Sequence, residues 1–498
     1  MAPEVISRMT GQFHRAAAAF ILALTAGCQG PAGHDDRSRA WVGTLPRRET
    51  GFDQRTWQDT SASTVRQLMA RLPDRIESAA EHRLARNLLI SITDAPHGDD
   101  DGSESLALRV GALMRFGDVS DAAALARTAR NPPGDEAGAQ LEIEAELLAG
   151  NVEMACIDLR ALAARSSTQW AEDGLAACKA RAGEAGATPH DTDRLGALAR
   201  IGGAALPADP PSGDLAGTRI AYLAAVGEDP KVAPPRRLEA AFTAARASAL
   251  GGDAYAKILR SAPVRGEASP SGEAPDSGKQ AAFLFQAIGE AADPGRKLAL
   301  AEQGLLSPGG AVDGVSAAMA APLRAVKPEP ALAPLAGRFA AIFYTVGDTK
   351  AAAPWADLAK RSVSDTAAWP YRAVLKPPGS GELAAWEKKA RLDPVRQDRI
   401  AAILSAFDAA PESSDAGQDD LQEIDTAAAL QHVGETTLRA LVLLGREGPA
   451  GASAQTLHHV VKALDRVNLH DEARAIAFEA IAATVPSRAH RGEVEASM

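Results

Sequence analysis

Gly117-Asp118-Val119-Ser120-Asp121-Ala122 returns 33 residues later as Gly150-Asn151-Val152-Glu153-Met154-Ala155, and Gly183-Glu184 follows at the same interval. Each glycine stands between two segments whose apolar residues recur at helical spacing. Only a small residue tolerates the positive φ that ends the first helix of such a pair. Helix, tight turn and helix, repeated at a fixed period, cannot bury their apolar faces singly and must stack. The spacing predicts an all-α chain, an α-solenoid of antiparallel helix hairpins.

Composition points the same way. Hydrophobic residues make up 46% of the 498-residue chain but aromatics only 4%, so alanine and leucine carry the core. Alanine has the best helix propensity and lets helices approach closely. Runs rich in valine, isoleucine, threonine and aromatics, the strand signal, are nearly absent. The formal charge is −11, which argues against nucleic acid or anionic lipid headgroups as the main partner.

The 33-residue unit resembles the tetratricopeptide repeat, a helix–turn–helix of about 34 residues. The family's small residue five places after the turn glycine is Ala122, then Ala155; Ala129 and Pro132-Pro133 match its later small and closing positions. Thr188-Pro189 breaks the third unit. Phe343-Tyr344-Thr345-Val346-Gly347-Asp348, leading to Ala352, Ala356 and Ala359, fits the same template. So does the C-terminal stretch in which Leu457, Val460, Val461 and Leu464 precede a turn at Asn468. Gly117, Gly150, Gly183 and Gly347 are thus expected to be repeat turns. The resemblance implies a superhelix whose groove holds peptides or partner helices.

The N-terminus carries an address. The basic pair His14-Arg15 precedes the short apolar run Ala16–Gly27, which ends in Leu24-Thr25-Ala26-Gly27-Cys28. The run is shorter than the roughly 20 residues needed to span a bilayer and reads as an export signal. It resembles the lipobox of bacterial lipoproteins, with Ala26 and Gly27 as its small residues, though Thr25 stands where leucine is usual. That resemblance implies cleavage after residue 27, lipidation of Cys28 and, with Gln29 next, delivery to the periplasmic face of the outer membrane.

The expected organisation is a signal peptide (1–27), a lipidated tether (28–55) and an N-terminal helical-repeat region (56–265). A linker (266–278), a middle helical region (279–409) and an acidic linker (410–421) follow. C-terminal hairpins (422–487) and a polar tail (488–498) complete the chain. In the first repeat region Ser61 is expected to cap a helix carrying Val65, Leu68, Met69 and Leu72. Ala80, Leu84, Leu88 and Ile92 are expected to line one face of the next.

Candidate chemistry is sparse. Cys156 and Cys178 lie on consecutive helices expected at 152–164 and 168–181. Their positions are nearly equidistant from the turn between them, which brings them within reach of a disulfide in an oxidising compartment. The loop His97-Gly98-Asp99-Asp100-Asp101-Gly102 lacks the alternating oxygen ligands and the glutamate of a calcium loop. His458-His459 point about 100° apart on a helix and share one ion poorly. No zinc-protease, nucleophile-elbow, phosphate-loop or dinucleotide motif occurs. These readings imply no catalytic residue, cofactor or metal, and no evident small-molecule substrate.

The expected function is a non-enzymatic scaffold holding envelope proteins, with the membrane reached through the lipid anchor. A subunit of an envelope-spanning secretion, motility or surface-polymer machine is the alternative. A cell-wall lytic enzyme with an α-superhelical domain is less favoured, because the C-terminal region lacks an aromatic-rich sugar cleft.

Overall fold

A computed structural model describes residues 41, 43–98, 103–129, 136–184, 201, 219–263, 274–307, 309–362, 364–379, 381–407 and 419–484. Among these residues the fold is all-α, with 24 α-helices and only isolated bridges in place of strands. The helices are α1 Arg47–Thr50, α2 Ala62–Ala70, α3 Ala79–Ile90, α4 Ser103–Phe116, α5 Val119–Ala129 and α6 Glu136–Leu148. Next come α7 Val152–Ala163, α8 Gln169–Arg181, α9 Arg219–Glu228, α10 Pro234–Arg246, α11 Gly252–Ser261 and α12 Gly278–Glu290. They continue with α13 Pro294–Gln303, α14 Gly314–Ala320, α15 Ala333–Thr345, α16 Thr349–Ala359, α17 Asp365–Leu375 and α18 Glu382–Ala390. The last are α19 Pro394–Ser405, α20 Asp419–Ala429, α21 Val433–Leu444, α22 Gly448–Gly451, α23 Ala454–Arg466 and α24 His470–Thr484.

One corner recurs along the chain. Gly117, Gly150, Gly183 and Gly347 all have positive φ, between 76° and 93°. In each case the following residue donates its N–H to a carbonyl five positions back: Asp118 to Leu113, Asn151 to Glu146, Glu184 to Lys179 and Asp348 to Phe343. This bond satisfies a helix-end carbonyl and reverses the chain. Ser248, Gln431 and Asn468, with φ of 55°, 62° and 64°, make the same corner through Ala249–Ala244, His432–Ala427 and Leu469–Leu464. Asn468 is expected from the sequence; the corners at Ser248 and Gln431 are not.

Helices that follow one another pack together: α4 on α5, α5 on α6, α6 on α7, α7 on α8, and later α15 on α16 and α23 on α24. Early and late helices of the described residues also meet, unlike those of an open array. Helix α21 packs on α2 and α3, and α24 packs on α3, α15, α17 and α19. The cause is α24 itself. From Ala473 to Thr484 it buries Ala475, Ile476, Ala477, Phe478, Ala480, Ile481 and Ala482, on every side. A helix apolar all round needs neighbours all round, and its alanines let them come close.

The expected tether runs too far. Trp41 and Phe52 are fully buried, and the chain from 43 to 45 is fastened along the end of α3, where Thr44 N–H donates to Ile90 O at 2.8 Å and Ile92 N–H to Leu45 O at 3.0 Å. The folded body therefore includes residues 41 and 43–55. This pairing pulls Ser91 into an extended conformation and ends α3, so Ile92 leaves the expected apolar face and stands 39% exposed. Ser61 caps α2 as expected, accepting from Thr64 N–H at 3.1 Å. In the expected linker, Pro275 O accepts from Arg246 at 2.8 Å and Ser277 caps α12. Helix α20 begins at Asp419, inside the expected acidic linker.

Candidate functional site

Cys28 and the rest of the lipobox-like stretch lie outside the described residues, as do Asp99 to Gly102. The structure does describe the seat where the body begins. Trp41 packs edge-on against Trp57 with centroids 5.5 Å apart, and the Arg109 guanidinium lies 5.3 Å from its ring centroid. Arg109 is buried and gives its Nε and Nη2 to Leu89 O at 2.8 and 2.6 Å, closing the end of α3. Burial pushes its pKa down to about 10, which leaves it charged at neutral pH. A cation held over an indole and tied to carbonyls fixes Trp41 by packing and charge together.

Cys156 and Cys178 are joined between α7 and α8, with Cα atoms 5.7 Å apart. Beside them Arg181 bridges to Glu153 at 2.8 Å and to Ile201 O at 2.9 Å. This clasp fastens α8, whose packing runs through α7.

The first repeat turn opens into an acidic pocket of about 380 Å³, lined by Asp118, Asp121, Glu228 and Asp229 among alanines. Asp121 is held bidentate by Arg86 at 2.6 and 3.0 Å. Asp118 faces His82 at 3.4 Å; burial raises its pKa to about 6 although His82 and Arg86 pull it down. A wider groove of about 740 Å³ lies between α1 and the α23–α24 turn. Its walls mix charges, with Arg47, Arg48 and Arg474 beside Glu49, Asp471 and Glu472.

The histidine pair divides. His458 is buried, with Nδ1 3.1 Å from Ser405 Oγ, whereas His459 Nδ1 lies 2.9 Å from Asp425 on the outer side. No cluster of three or more potential metal ligands occurs among the described residues, and no helix there is long and apolar enough to cross a membrane.

The polar feature that sequence reasoning missed lies where these early and late helices meet. At the N-terminus of α3, Ala79 N–H donates to Val312 O and Glu81 N–H to Ser78 Oγ. Glu479 of α24 supplies the remaining acceptors, Oε2 to Ser78 Oγ at 2.5 Å and Oε1 to Ala80 N–H at 2.7 Å. Glu479 thus caps a helix 401 residues away, and Glu81 is buried beside it. An isolated glutamate in a helical pattern gives no sign of which distant N-terminus it will meet.

Comparison with known proteins finds no matching family model, no matching curated protein and no matching solved structure.

Proposed function

We propose that the protein is a non-enzymatic scaffold lipoprotein, anchored by lipid on Cys28 at the periplasmic face of the outer membrane. In this reading its helix pairs form a tetratricopeptide-like array that holds envelope-protein partners. The observation that carries it is the run from Arg15 to Cys28, a basic residue, an apolar stretch, small residues and a cysteine in the order that export and lipidation require. The buried seat of Trp41 supports it, because the polar residues 29–40 then lie between anchor and body. Twelve residues reach at most about 40 Å when fully extended, which keeps the body close to the membrane surface.

Metabolic labelling with a fatty-acid analogue tests the anchor. Wild-type protein is expected to carry the label in the outer-membrane fraction, and Cys28→Ser to lose both. Equal labelling of the two would sink the lipoprotein reading. Crosslinking in cells followed by affinity purification tests the scaffold, which requires at least one envelope protein enriched over a Cys28→Ser control.

A further inference from the structure

The seam between the first and last parts of the chain holds two buried carboxyl groups side by side. Glu479 has donors for both oxygens. Glu81 has none: it is 0% exposed, and neither carboxyl oxygen meets a hydrogen-bond partner. It lies under α22, where a Cβ added to Gly448 would stand 2.8 Å from Glu81 Oε2 and 2.7 Å from Ser78 Cβ. An ionised carboxylate without donors, out of water and next to a second carboxylate, is too costly to keep.

We propose that this seam is a proton-operated clasp: Glu81 holds a proton while α24 and α22 lie on α3, and releases it when they separate.

The surroundings favour that coupling from every side. On the α3 side stand Glu77, His82 and Arg83. Glu77 is bound to Arg75 at 2.6 Å and Arg446 at 3.2 Å, and His82 is turned toward Asp118. The segment before α22 brings Arg446 and Glu447. The middle of the chain brings Asp313, paired with Arg246 at 2.8 Å. Helix α24 brings Glu472 and Glu479. From α15 and α17, Tyr344 and Tyr371 meet Phe478 with their rings tilted against it, and α19 brings Arg399, which is committed to the carbonyls of Pro449, Ala450 and Ala452. None of these cations bonds Glu81. Burial, and then the Glu479 charge, raises the Glu81 pKa well above the usual carboxylate range. Burial also lifts Glu479 to about 8 against the bonds from Ser78 and Ala80.

The sign follows. Separated from α24, Glu81 meets water and titrates near 4.3. Above that pH the closed form holds a proton that the open form has lost, so closure weakens as pH rises. One proton makes the closing equilibrium tenfold less favourable per pH unit. A matching contribution from Glu479 would add to that slope up to about pH 8.

Hydrogen exchange between pH 5 and 7.5, corrected for intrinsic rates, reads the clasp in the full chain. Protection of α3 and α24 is expected to fall at least tenfold per pH unit. Glu81→Gln keeps the shape without the proton and is expected to remove one decade per unit from that slope. Glu144→Gln, a buried glutamate in α6, leaves the slope as it is. Three outcomes overturn the clasp: pH-independent protection of α3 and α24, an unchanged slope in Glu81→Gln, or a slope flattened by Glu144→Gln, which would mean that these helices exchange through unfolding of the whole molecule. If Glu81→Gln fails to fold, Glu81→Met serves instead: it fills the same buried space without a titrating group and must remove the same decade per unit from the slope.

Discussion

Gly117 and Gly183 share a left-handed backbone but not their surroundings. A Cβ on Gly117 would stand 2.3 Å from Ala249 Cβ, whereas Gly183 has nothing within 4 Å. Gly183→Ala is therefore expected to cost only the conformational term, about 1–2 kcal/mol. Gly117→Ala should cost that plus an overpacking term of about 1–3 kcal/mol. Denaturant midpoints at constant slope check this, and equal losses would refute it. Glu144 offers a second test. Burial pushes its pKa up to about 8, opposed by one hydrogen bond from Gln140. Because the folded pKa is raised above 4.5, the folded state keeps a proton that the unfolded chain has released. Its contribution to stability is full below pH 4.5 and is lost as pH rises toward 8. Calorimetry of Glu144→Gln should show a flatter stability curve across that window than the wild type.

Among elements, the α7–α8 pair depends most on a single link. Cutting the Cys156–Cys178 bond frees a loop for which the chain-entropy model gives about 3 kcal/mol. The Cys156→Ser/Cys178→Ser double variant should show early exchange of α8 while α15 and α16 stay protected; uniform loss would mean that the link stabilises the whole fold. Elements were the scale at which the sequence was most legible. The helix start at Ser61 and the corners at the glycines and Asn468 could be read because each needs a particular residue type. Ser248 and Gln431 make the same corner with side chains that pay a left-handed penalty, and nothing local announces it. Residues 41–55 looked like a tether because Pro, Gly and charge dominate there. The burial of Trp41 and the fastening of 43–45 depend on Arg109 and on the end of α3, which lie far along the chain.

At the scale of the molecule, the join between α24 and α3 decides how stability is shared. In an open array, deleting the last unit removes one nearest-neighbour term and leaves the rest standing. Here, stopping the chain before His470 would uncover α3, α15, α17 and α19 at once. The truncated protein is expected to lose its sharp unfolding transition, checked by thermal melting followed by circular dichroism. A well-folded fragment would show that the join is dispensable. This level of organisation was the least legible, since periodicity reports which face of a helix is apolar but not which distant helix covers it.

The bond between Ser78 and Glu479 also sets a schedule. A ribosome delivers Ser78 401 residues before its partner, roughly 20 to 80 s at synthesis rates of about 5–20 residues per second. Throughout that interval the N-terminus of α3 lacks the acceptors that Glu479 provides, and its apolar flank waits for a helix not yet made. Helix α3 is therefore among the first of the described helices to be made and among the last to mature. Long-range closure of this kind slows folding and prolongs exposure to aggregation, so a holding chaperone should be needed most by chains in which α3 has been made and α24 has not.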